Sequence, residues 1–79
     1  MIDNKYIPED AYVLVSQGIA IDWYYLKETA LMMAKKSNDH FLDYKQRCLE
    51  NHVPYADNAV YVFYRGEMIA NEWGEVNHV

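Results

Sequence analysis

The chain is poor in cysteine, glycine and positive charge, and each shortage excludes something. Cys48 is the one cysteine in 79 residues, so no internal disulfide framework exists and packing or a partner must stabilise a chain this short. The three glycines, Gly18, Gly66 and Gly74, lie far apart and cannot form a glycine-rich phosphate loop. No stretch approaches the ~18 apolar residues of a membrane span. Met1-Ile2-Asp3-Asn4-Lys5 lacks the basic-then-apolar order of a signal peptide, so a cytoplasmic protein without membrane contact is expected. Seven Lys and Arg stand against twelve Asp and Glu, a formal net charge of −5. Lys5 is the only cation before residue 23, and Arg65 the only one after residue 52. Direct nucleic-acid affinity rests on cations that release phosphate counterions and is not expected here. Acidic ends suit a basic partner surface, or solubility alone.

Apolar residues are plentiful at 52%, with eight Tyr, two Trp and two Phe, which excludes a disordered tail. The length fits one domain over 1–79, with 1–7 and 74–79 as loose ends. A central helix is expected over Ile21–Ser37. Asp22 is placed as its N-cap, Ile21 and Leu26 as a hydrophobic staple, and Lys35 and Lys36 oppose the negative end of its dipole. Trp23, Leu26, Ala30 and Met33 fall on one face and are expected in one core with Phe41 and Leu49.

Residues 8–17 carry two readings. Pro8-Glu9-Asp10 opens a helix and Gly18 closes one, whereas Tyr12-Val13-Leu14-Val15 is rich in strand formers and fits a strand buried on both faces. The start and stop signals favour helix. Ser37-Asn38-Asp39 offers caps for a second long helix, about Asn38–His52, in which Asp43 and Arg47 sit at ion-pair spacing. Lys45 falls within its apolar arc and must snorkel outward or mark the edge of the buried stripe. Pro54 forces the chain out of helix at Val53. Residues 59–64 and 67–73 flank Arg65-Gly66 as a β-hairpin, with Val60, Val62 and Tyr64 on one side and Tyr61 and Phe63 on the other.

The expected fold is therefore α+β, two to three helices followed by a C-terminal antiparallel β-hairpin. That order of elements resembles a winged helix-turn-helix, in element order alone. The resemblance implies a DNA-binding regulator using Lys45, Gln46, Arg47 and Arg65. The strand reading of 11–15 gives instead a three-stranded sheet against two helices.

No catalytic, metal or cofactor site is expected. Cys48 and His52 are spaced like two metal ligands or a thiol and its base, but two groups are too few for either role. Asp39, His40 and Asp43 at a helix start are explained by the dipole. The aromatic excess carries more information, because ten Tyr and Trp side chains with polar ends are hard to hide in so small a core. Tyr25, Glu28 and Met32 on the far side of the central helix, with Glu67 and Glu72, are the expected partner-binding residues. The leading function is a non-enzymatic, acidic interaction module. It docks on a larger, basic, nucleic-acid-handling protein as an inhibitor or modulator of the kind phages and mobile elements encode, and a homodimer is left open. The winged-helix regulator is the alternative.

Overall fold

The computed structural model describes residues 6–76. Strands β1 (Tyr12–Ser16) and β2 (Ile19–Tyr24) precede helix α1 (Lys27–Glu50), and β3 (Val60–Tyr64), β4 (Glu67–Asn71) and β5 (Gly74–Glu75) follow it. The strands form one antiparallel sheet in the order β2-β1-β3-β4-β5. Both neighbours of β1 run opposite to it, so β2 and β3 are mutually parallel, and joining them requires a long crossover. Helix α1 is that crossover and lies against one face of the sheet. The molecule is a small α+β domain, but not several helices followed by a hairpin. Strands stand on both sides of the helix in sequence, and the winged-helix order is absent.

Three expectations fail for local reasons. Residues 12–16 form a strand, because Tyr12, Val13 and Val15 favour the pleated surface and β1 is paired along both edges. The Gln17-Gly18 turn after β1 has positive φ at both residues, which suits the right-handed twist of a tight hairpin. The central helix starts at Lys27 rather than Ile21, since Ile19–Tyr24 pairs with β1. Asp22 does not cap a helix. Its carboxylate accepts the Trp23 N–H at 2.8 Å and the Tyr24 hydroxyl at 2.7 Å. Nor does the helix break at Ser37-Asn38-Asp39. It runs unbroken for 24 residues, because Asn38 faces inward and spends its side chain on the sheet.

The core is where α1 crosses β1 and β3. Leu14, Val60, Val62 and Ala70 from the sheet meet Ala30 and Ala34 from the helix, all buried. The small alanines let the helix backbone approach the sheet closely. Tyr12, Tyr24, Leu31, Met33 and Ile69 close the margins, and Tyr12 stacks on Tyr64 with centroids 4.3 Å apart. Phe41 is buried as expected, but Leu26 is 67% and Leu49 52% exposed.

The C-terminal end of α1 is a Schellman motif. The His52 N–H donates to the Leu49 carbonyl and the Val53 N–H to the Cys48 carbonyl, while His52 takes φ 55° in the position glycine prefers. Pro54 follows. The β3–β4 hairpin turns at Arg65-Gly66, where φ is 49° and 83°. Its second strand ends at Asn71, because Glu72 and Trp73 turn into β5. Residues 74 and 75 are thus paired rather than loose, and Tyr6 is described. Residues 1–5 and 77–79 of the expected loose ends lie outside the described residues.

Candidate functional site

The five residues expected to bind a partner lie on α1, on β4 and in the connections beside them. Tyr25 lies in the connection between β2 and α1, not on the helix, and meets the Trp23 ring edge-on at 5.2 Å. Glu28 and Met32 lie one turn apart on the exposed side of α1. Glu67 begins β4 and Glu72 follows its end. A five-residue strand separates those two carboxylates by roughly 16 Å.

The sheet itself carries a surface the sequence reading did not single out. Residues in direct register share a face, so the face opposite α1 follows from the pairing. It takes Val13 and Val15 from β1, Ala20 and Trp23 from β2, Tyr61 and Phe63 from β3 and Met68 from β4. An antiparallel sheet with one wet face normally alternates apolar and polar side chains. Here both faces are apolar, none of these positions carries a charge, and among the described residues no helix or strand lies over the outer one. The signal was present in Tyr12-Val13-Leu14-Val15, which read as a strand buried on both faces. Seeing that, among the described residues, a helix packs on only one of the two faces requires the fold.

Tyr61 has its phenol pushed above the ordinary range, first by burial and then by the nearby charges of Glu72 and Asp57. Acidic groups therefore stand beside this face. Tyr24 is also raised, chiefly because its hydroxyl donates to Asp22.

A second concavity of ≈ 380 Å³ lies between α1 and the β4–β5 turn. Leu31, Ala34, Leu42, Ala70 and Trp73 give it apolar walls, and Lys35, Asp39, Glu72 and Glu75 stand around it. Glu72, one of the expected partner residues, borders this concavity.

The residues of the DNA-binding alternative are engaged by their neighbours. Arg47 pairs with Asp43 at 3.1 Å, Gln46 donates to Glu50 at 3.4 Å and Lys45 lies 5.6 Å from the Tyr55 ring centre. Arg65 covers Tyr64 at the β3–β4 turn. His52 has left the helix, so it does not share a helical face with Cys48. Among the described residues no group of three His, Cys, Asp or Glu could hold a metal ion, and no helix is long and apolar enough to cross a membrane. Comparison with known proteins gives no matching family model, no matching curated protein and no matching solved structure.

Proposed function

We propose that this chain is a non-enzymatic cytoplasmic interaction module that docks on a larger protein with a basic surface. The apolar outer face of the sheet, over which no helix or strand of the described residues lies, carries the reading. Val13, Val15, Trp23, Tyr61 and Phe63 share one contiguous, partly exposed face, and a partner seated on it removes apolar surface from water. Aromatic residues on such a face are the side chains enriched in docking surfaces. The net charge of −5 favours a cationic partner and speeds its encounter. Proteins that handle nucleic acid present such surfaces, and an inhibitor or modulator from a phage or mobile element would use it this way.

The test is affinity capture from host lysate with identification of the retained protein, comparing wild type with Phe63→Ser and Trp23→Ser. The reading expects a basic, nucleic-acid-handling protein retained by wild type and lost by both variants while their circular dichroism stays native. Equal capture by the variants, or no specific capture, would refute it.

A further inference from the structure

We propose that the groove between α1 and the β4–β5 turn is a docking site for a short basic segment of a partner protein, one carrying a large apolar side chain between lysines or arginines. The proposal rests on the reading of the chain as an interaction module, but it uses a surface other than the outer sheet face, so each can fail alone.

The shape comes first. Helix α1 packs over β1 and β3, and on the β4 side Ala70 joins the buried cluster with Ile69 packed against it. Small residues on both walls, Ala34 and Ala70, leave ≈ 380 Å³ between the layers, within the range of preformed pockets. Leu31 and Leu42 make the helical wall apolar. Asn38 also lines the groove, but both ends of its carboxamide are committed to Val60. Among the described residues no buried side-chain polar atom is left without a partner. The buried floor of the groove therefore has no polar atom waiting for a partner and suits an apolar side chain, while its polar groups stand at the rim.

The rim decides what flanks that side chain. Glu72 makes no ion pair among the described residues, while Glu75 and Asp39 are held only by exposed partners, Lys27 at 3.2 Å and Lys35 at 3.0 Å. Exposed pairs of this kind are weak and exchange readily, so incoming cations can replace them. Trp73 stands 74% exposed beside the groove, with its backbone N–H held by Asn71 at 2.9 Å. A fixed turn carrying a free indole is ready to stack on a lysine or arginine stem. A second copy of the chain is a poor occupant, because it would bring another acidic rim to this one.

The probe is a synthetic peptide with a central Leu-Phe pair flanked on both sides by lysines and arginines. Amide NMR should show saturable shifts at Leu42, Ala70 and Trp73, with Val13 and Phe63 unmoved. Glu72 is half-buried in the turn between β4 and β5, and Glu72→Lys, checked for native circular dichroism, should weaken binding by about tenfold. A glutamate-flanked peptide should not bind, and a Ser-Ser centre should remove most of the affinity. The proposal falls if the acidic peptide binds as well, if the Ser-Ser peptide binds equally, or if shifts map to the outer face or nowhere. Shifts at the groove that grow with protein concentration alone would assign it to a second copy and also overturn it. An inert groove beside Phe63-dependent capture would remove this site and leave the interaction module standing.

Discussion

The carboxamide of Asn38 closes a ring with the backbone of Val60. Its Nδ2 donates to the Val60 carbonyl at 2.9 Å, and its Oδ1 accepts the Val60 N–H at 2.7 Å. Both groups belong to the first residue of β3, beyond the stretch of β3 that β4 pairs. A side chain from mid-helix thus replaces a missing strand partner and ties α1 to the sheet in a fixed register.

Asn38→Ala leaves two buried backbone groups without partners, each costing about 1–3 kcal/mol, and should destabilise by about 2–6 kcal/mol in chemical melts. Asn38→Asp is more diagnostic. An ionised carboxylate accepts the Val60 N–H but repels the carbonyl, whereas the protonated acid both donates and accepts. The folded-state pKa of the new carboxyl therefore lies above its unfolded value of about 3.9. Its stabilisation is present below that value and lost as pH rises through the folded pKa. Relative to wild type, the variant should be weaker near neutral pH than in mild acid. A pH-independent difference would mean that the ring does not hold the register.

The sequence read well where local chemistry and tertiary structure agree. Arg65-Gly66 turns a hairpin with Val60, Val62 and Tyr64 on one side, and Asp43 pairs with Arg47 as their spacing implies. It misled where a local signal was taken up by a distant partner. Asp22 looks like a cap but serves Tyr24 and Trp23, and Asn38 looks like a cap but serves Val60. Trp23, Leu26 and Ala30 share helical spacing, yet they belong to a strand, a connection and a helix. Of the partner residues, Glu72 borders the groove, while the outer face emerged only once the layers were laid out.

Core substitutions separate this fold from the helix expected over Ile21–Ser37. Val62 is fully buried and Leu14 nearly so, so Leu14→Ala should cost about 2–5 kcal/mol and Val62→Ala about 2–3. Leu26→Ala should stay within about 0.5 kcal/mol, because Leu26 is exposed rather than in the core. Thermal melts that reverse this order would contradict the packing of α1 on β1 and β3.

Positive-φ residues give a pair of opposite signs. His52→Gly relieves a left-handed residue at the end of α1 and should stabilise by about 0.5–1 kcal/mol. Gly66→Val imposes a β-branched side chain at φ 83° and should destabilise by about 1–2 kcal/mol or more. Amide NMR on Gly66→Val should show the β3–β4 contacts weakened first. If both variants melt like wild type, neither conformation is held by the fold.

The tyrosines supply an alkaline signature. The Tyr24 hydroxyl donates to Asp22, which stabilises the neutral phenol and holds its pKa above the ordinary 10.0. Tyr61 is raised through burial, helped by Glu72 and Asp57. A phenol whose folded pKa exceeds its unfolded one contributes stability below the unfolded value, and that contribution is lost as pH rises through the folded pKa. Wild type should therefore lose stability above about pH 10 more steeply than Asp22→Asn, in which the carboxylate acceptor is gone. Phenolate absorbance should show one late-ionising group vanish in Tyr24→Phe and another in Tyr61→Phe. Glu72→Gln should bring the Tyr61 ionisation down and leave that of Tyr24 in place, because only Tyr61 feels that charge. An unmoved Tyr61 ionisation in Glu72→Gln would show that the carboxylate does not reach the outer face, and the acidic flank proposed for docking would lose its support there.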